Sequence, residues 1–324
     1  MEVVSGGELY TALQAGVPGR QIHFQGNNKS IGELTMALEN GVGDIVVDNL
    51  SELERLESLA AERGVTAPIS FRIKPGIDAH THEFIRTGQV DSKFGLDLAS
   101  GEAMDALRRA SELEHVVVKG LHCHIGSQIL EKSPFVHAAE VMLQFFSQVR
   151  EELGMTFEHL NLGGGFGIHY TERDDAIPYE EYMEDVSAMV HAKCRELGLD
   201  LPYIFIEPGR SIVGEAGITL YTVGNIKHIQ GVRDYVAIDG GMFDNPRYAL
   251  YQSAYTCILA NKAGEPADYT ATIAGKCCES GDLIQEHTLI QKPEEGDILA
   301  VLSTGAYNYS MASNYNRNFK NLPL

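Results

Sequence analysis

The chain has 324 residues, 44% of them hydrophobic and 33 of them glycine, enough for one large α/β domain or two ordinary ones around a sizeable core. A formal net charge of −20 argues against nucleic acid or an anionic membrane as the main partner. No apolar run approaches the ~20 residues of a membrane span, and the opening residues are not a basic stretch followed by an apolar one, so secretion is not expected. The five cysteines (Cys123, Cys194, Cys257, Cys277, Cys278) are odd in number and lack zinc spacing, so they read as reduced thiols of a cytoplasmic protein and no metal is expected.

The first two hundred residues repeat one unit: a short apolar strand, a turn, then an amphipathic helix closed by glycine. Val3-Val4 leads to Ser5 with Glu8 three residues on, and that helix closes at Gly16. A strand at residues 22–24 leads to Ser30 with Glu33, closing at Gly41. Another at 45–47 leads to Ser51 with Glu54, and Leu53, Leu56 and Leu59 form an apolar stripe up to Gly64. Each start reads as a capping box, in which a hydroxyl and a carboxyl satisfy free N–H groups at the helix end. Strands follow at 69–73, 116–121, 159–162 and 203–206. Between them run a helix from Ser133 to Gly154, with Pro134 at its first position, and another from Tyr179 to Gly198. Alternation of this kind implies parallel pairing with right-handed crossovers. Seven strands are visible, and a (β/α)8 barrel needs an eighth, expected just before Met1.

After Arg210 the pattern changes. Stretches at 218–227, 235–239, 269–273 and 298–301 are strand-like, separated by turn clusters such as Asp244-Asn245-Pro246, with no helix of similar length. The expected division is a barrel domain over residues 1–212 and a mostly β domain over 213–324.

Polar residues gather at the C-terminal ends of the barrel strands, where such folds build their sites. His122 and His124 end one strand and are followed by Ile125-Gly126-Ser127-Gln128. Gly163-Gly164-Gly165-Phe166-Gly167 ends the next, and Glu207-Pro208-Gly209-Arg210 the last. Three glycines in a row let amide N–H groups approach an anion, although the run by itself fits a plain tight turn equally well. Either histidine alone fits a satisfied buried imidazole, and Glu207 alone fits an ion pair with Arg210. Together they suit a phosphorylated aromatic cofactor: glycine amides and Ser127 for the phosphate, Arg210 for added charge, His124 flat on a ring, and Glu207 holding a pyridine nitrogen protonated.

These motifs resemble the fold-type III pyridoxal phosphate (PLP) decarboxylases, which act on ornithine, arginine and diaminopimelate. The likeness to the diaminopimelate branch extends through Val3-Val4-Ser5-Gly6-Gly7-Glu8, Asp78-Ala79-His80-Thr81-His82-Glu83, Ser92-Lys93-Phe94-Gly95, Asp244-Asn245-Pro246-Arg247, Cys278-Glu279-Ser280-Gly281-Asp282 and Thr304-Gly305-Ala306-Tyr307, nearly the whole chain in order. The resemblance implies decarboxylation of meso-2,6-diaminopimelate to L-lysine and CO2 by a homodimer with shared active sites. It implies that His124 stacks on the cofactor ring, that Ser127 and the Gly163, Gly164 and Gly165 loop bind phosphate with Gly209 and Arg210, and that Glu207 faces the pyridine nitrogen. Arg210, Arg247, Tyr251 and Tyr307 would hold the substrate, Tyr307 also touching the cofactor. Cys278 would be the proton donor from the partner subunit, and Glu279 would meet the distal amino group. A fork-shaped guanidinium at Arg247 suits a second carboxylate better than an amine, which favours diaminopimelate over ornithine. The alternatives are a related decarboxylase of arginine, ornithine or carboxynorspermidine, or a non-catalytic binding protein on the same fold.

In this family a lysine within a Tyr-x-x-Lys stretch on the first barrel strand holds the PLP aldehyde, and no such stretch occurs here. Lys29, Lys74 and Lys93 sit in other contexts, Lys74 nearest the expected barrel mouth. The chain opens inside a strand and closes at Asn321-Leu322-Pro323-Leu324 without a capping element. The expectation is therefore a fragment cut at both ends, binding PLP weakly if at all and turning over nothing.

Overall fold

The computed structural model describes residues 1–77 and 92–319. The Asp78-to-Glu83 motif and Asn321 to Leu324 lie outside the described residues. Two compact units form: residues 1–165 with 178–207, and residues 166–177 with 208–324.

The first unit is a parallel βα sheet. Its strands are β1 (Glu2–Val3), β2 (His23–Phe24), β3 (Asp44–Val47), β4 (Ala67–Lys74), β5 (Leu96–Asp97), β6 (Val116–Cys123), β7 (His159–Asn161) and β8 (Tyr203–Phe205). They pair in the order β1-β2-β3-β4-β6-β7-β8, every pair parallel, with β5 beside the end of β4. This is the strand order of a (β/α)8 barrel with β1 and β8 at the ends of the path. The seven expected strands are all present. Among the described residues six helices connect them: α1 (Gly6–Gln14), α2 (Ile31–Glu39), α3 (Leu50–Arg63), α4 (Glu102–Ala110), α5 (Ser133–Leu153) and α6 (Tyr179–Leu197). Because both faces of such a sheet are covered, β3 is buried throughout and β4 nearly so, and Phe24, Ile45, Ile69, Phe71 and Leu121 are closed to solvent.

The helix starts show which local signals decide. At α2 the full capping box forms between Ser30 and Glu33. At α1 Ser5 accepts from the Glu8 amide, while the Glu8 carboxylate reaches back to Val4 N rather than to Ser5. The box expected at Ser51 and Glu54 is displaced. Asn49 is the cap, accepting from Glu52 N at 3.0 Å, and Glu52 accepts from Asp48 N at 3.0 Å. Asn49 presents an acceptor two residues earlier, so the helix starts before Ser51 is reached. The expected Leu53, Leu56 and Leu59 stripe does face the core, each side chain stabilising by about 1.5–3 kcal/mol. Helix α4 was not anticipated, as it starts after Gly101 with no side-chain cap to mark it.

The second unit holds two short helices, α7 (Gly209–Val213) and α8 (Arg247–Tyr251), and strands β9 (Thr219–Ile229), β10 (Arg233–Ile238), β11 (Cys257–Leu259), β12 (Tyr269–Ala274), β13 (Leu283–Ile290) and β14 (Ile298–Val301). Their order is β11-β14-β9-β10-β12-β13, antiparallel except for β10 beside β12. Strand β13 escaped the sequence reading because His287 takes φ 48° in its middle and breaks the alternation. Its core is built on Tyr221, Val236, Ile273 and Leu299, and Ile168 and Tyr170 from the 166–177 segment pack into it.

Candidate active site

Within the first unit, the ends of β2, β6, β7 and β8 converge on one carboxylate. Glu207 Oε1 accepts from Gln25 Nε2 at 2.5 Å and from Asn161 Nδ2 at 2.7 Å, and lies 3.1 Å from His122 Nε2. His122 is fully buried and its Nδ1 meets no partner among the described residues. Glu2, on β1, shares this carboxyl cluster. Burial, then the charge of Glu207 and the hydrogen bond to it, pushes Glu2 up to about 11. Burial would raise Glu207 too, but His122 and the hydrogen bond with Glu2 outweigh it and bring Glu207 down to about 2. Glu207 is therefore the ionised member of the pair and Glu2 the protonated one. Arg72, buried on β4 with its guanidinium 4.2 Å from the Phe94 ring, adds a cation that favours Glu207 as an anion.

The glycine run packs three loops together. A Cβ on Gly163 would sit 2.6 Å from Cys123 O, one on Gly164 2.1 Å from Glu207 O, and one on Gly165 2.2 Å from Gly126 O. Gly163 and Gly165 also take positive φ, at 71° and 104°, which a side chain would strain. Two of the amides are spent internally: Gly163 N donates to Asn161 Oδ1 at 2.9 Å and Gly164 N to His124 Nδ1 at 3.2 Å. The second bond makes Nδ1 an acceptor. Burial, with help from Arg72, pushes His124 down to about 3, so its ring is neutral and carries its hydrogen on Nε2. A flat, uncharged imidazole of fixed tautomer and a carboxylate held ionised among surrounding donors match the ring and the protonated nitrogen of a pyridine. The donor set fits PLP.

The second unit gathers Arg210, Arg247, Tyr307 and a residue the sequence reading passed over, Tyr170. The Arg210 guanidinium lies 4.6 Å from the Tyr307 ring, and its Nη1 donates to Tyr170 Oη at 2.5 Å. Arg247 is 5% exposed, stands 4.5 Å from the Tyr170 ring and donates to Tyr255 Oη at 3.0 Å. No carboxylate lies within ion-pair distance of Arg247 among the described residues. Tyr251 ends α8, the helix that Arg247 opens. Gly209 opens α7, where its surroundings leave room for a side chain. Cys278 and Glu279 lie exposed on the turn between β12 and β13. There Cys278 N donates to Asn316 Oδ1 at 3.0 Å, and Glu279 accepts from the Tyr315 hydroxyl. Asp282 pins that turn by accepting from Cys277 N and Met242 N, both at 2.6 Å.

Of the lysines, Lys29 is the informative one. It is 2% exposed, and its ammonium donates to Gly26 O at 2.7 Å and Val46 O at 2.8 Å and forms an ion pair with Glu52 at 2.6 Å. With its ammonium held by two backbone carbonyls and a buried carboxylate, Lys29 serves the fold. Gln25, Asn161 and Glu2 also went unread, because each acts on Glu207 across a long sequence separation, 182 residues for Gln25.

A parallel βα sheet with a pyridine-matching set of side chains at its strand ends, and with an antiparallel β unit following, defines a PLP enzyme of the barrel type. Residues 1–214 match the pyridoxal binding domain of the pyridoxal-dependent decarboxylases. The diaminopimelate decarboxylase of Bacillus subtilis is 53% identical over 98% of this chain and 72% of its own length. The crystal structure of diaminopimelate decarboxylase from M. jannaschii in co-complex with L-lysine superposes with a TM-score of 0.89 at 39% identity, covering 98% of this chain and 71% of that one. A lysine/ornithine decarboxylase from Vibrio vulnificus complexed with putrescine shares the fold, with a TM-score of 0.81 at 22% identity over 99% of this chain and 79% of its own. The chain belongs to the pyridoxal-dependent decarboxylases, in the diaminopimelate decarboxylase family.

Proposed function

We propose that this active site is built for decarboxylation of meso-2,6-diaminopimelate to L-lysine and CO2. Arg247 carries the choice of substrate. A guanidinium closed off from water and given no carboxylate partner by the described chain needs an anion from outside, and a second substrate carboxylate supplies it. PLP, when bound, supplies the electron sink for the pair released as the bond from Cα to the carboxylate breaks. Glu207 holds a proton on the pyridine nitrogen, and neutral His124 presents its flat face to the ring. Ser127, the Gly165 amide, Gly209 and Arg210 take the phosphate. Gly163 and Gly164 position His124 and Glu207, their own amides being already committed. Arg210, Arg247, Tyr251 and Tyr307 hold the substrate, Tyr307 also at the cofactor, and Glu279 meets the distal amine. Cys278 returns a proton to Cα. Its exposure on a turn supports entry into a partner subunit's site, in a homodimer. The five free thiols fit a reducing compartment, the cytoplasm.

The test is competitive binding to the PLP-loaded protein. Meso-diaminopimelate should bind at least about tenfold more tightly than ornithine or arginine, and Arg247→Ala should abolish that preference. Equal affinity for all three ligands in the unaltered protein overturns the assignment.

A further inference from the structure

Tyr170 contacts both Arg210 and Arg247 of the second unit. Its hydroxyl accepts from Arg210 Nη1 at 2.5 Å, and its ring faces the Arg247 guanidinium at 4.5 Å. The Tyr255 ring meets it edge-on at 5.3 Å and 90°, and Tyr255 Oη in turn accepts from Arg247. Tyr170 is itself held firmly: it is 5% exposed, and Thr256 donates to its carbonyl from both the amide, at 3.0 Å, and the hydroxyl, at 2.9 Å.

We propose that Tyr170 is a specificity-determining positioning residue, fixing the Arg210 and Arg247 guanidinium groups relative to one another for recognition of the substrate's second carboxylate. The chemistry of the phenol is what makes it suitable. An aspartate or glutamate in its place would also orient both arginines, but it would cancel the charge on which recognition depends. A neutral hydroxyl and the negative face of an aromatic ring orient guanidinium groups without adding a counter-charge. Two such groups tied to one ring cannot drift apart. A ligand with a single carboxylate gains little from that constraint, whereas one with a second carboxylate finds its site already assembled. Tyr170 therefore acts on discrimination between ligands, through Arg210 and Arg247, without itself touching the reacting atoms.

The inference rests on the proposed role of Arg247, and the experiment separates the two. Binding of meso-2,6-diaminopimelate and of L-lysine, which lacks only the second carboxylate, is measured by calorimetry on the PLP-loaded protein and its Y170F, Y170L and R247A variants. The unaltered protein should prefer diaminopimelate. Y170L should lose about tenfold of that preference, while its affinity for L-lysine stays within about twofold. Y170F, which keeps the ring but not the acceptor, should lose about threefold, and this suffices for the test should Y170L fail to fold. Equal weakening of both ligands in Y170F marks a merely structural residue and overturns the inference. So does a preference unchanged in both tyrosine variants but lost in R247A, which leaves the Arg247 reading standing. No preference in the unaltered protein, or none lost in R247A, overturns that reading and the inference with it.

Discussion

Glu2 and Glu207 bring two carboxyl groups into one buried cluster, where the charge of one discourages the charge of the other. Glu207 wins the charge because His122 and the hydrogen bond with Glu2 outweigh its burial, while Gln25 and Asn161 also donate to Oε1, so folding obliges Glu2 to keep its proton. A carboxyl raised from 4.5 to about 11 contributes its full stability below 4.5 and loses it progressively as pH rises toward 11. Glu207, lowered to about 2, contributes above 4.5 and loses its share as pH falls toward 2. Across neutral pH the Glu2 contribution is therefore the one that declines. Glu2→Gln retains an N–H donor for Glu207 and needs no proton, so at pH 8 it should melt about 2 °C or more above the unaltered protein. That gap should close toward pH 5 in thermal scans. A gap independent of pH would mean that Glu2 is ionised in the fold. The partners of Glu207 could not be read from the chain, since Glu-Pro-Gly-Arg announces a site but not the distant strands that set its charge.

At the scale of elements, the sequence was most legible where one signal repeats. Seven short apolar runs, five of them followed by an amphipathic stretch ending in glycine, define the parallel sheet, and Gly64, Gly154 and Gly198 do take the left-handed cap. Legibility failed where two signals compete within one turn. Ser51 with Glu54 and Asn49 with Glu52 are both good N-terminal pairs, and only the structure shows that the earlier one caps α3, while Glu54 pairs with Arg109 at 2.6 Å. The energetic consequence is directly measurable. Asn49→Ala removes the acceptor for Glu52 N and should cost about 1 kcal/mol in chemical denaturation, with the denaturant slope unchanged. Ser51→Ala, at an exposed position inside the first turn, should cost no more than about 0.5 kcal/mol. Equal losses would restore the later start. In the β unit the shortfall has a different cause: β11 is only three residues long and β13 bends at His287, so neither shows the alternation by which strands are recognised.

For the molecule as a whole, the proposed homodimer must form between two chains that each carry −20. Like charge on that scale opposes association, and the opposition is screened once the Debye length falls to ~10 Å near 0.1 M salt. Dimerisation held together by apolar burial should therefore tighten as salt rises from about 20 to 200 mM, the reverse of an interface built on complementary charge. Cys278 supplies a chemical probe of the same event. It is exposed on the β12–β13 turn of the single chain, while Cys123, Cys194 and Cys257 are buried, and burial pushes the Cys123 and Cys257 thiols up to about 12. Alkylation of dilute protein should therefore label Cys278 ahead of those three. If Cys278 enters a partner's site, its labelling rate should fall as protein concentration rises, and it should fall at lower concentration in 200 mM salt than in 20 mM. Sedimentation velocity on the same samples should show the dimer growing over the same concentration range. A labelling rate that stays constant while the dimer forms would place Cys278 outside the shared site and remove it as the proton donor.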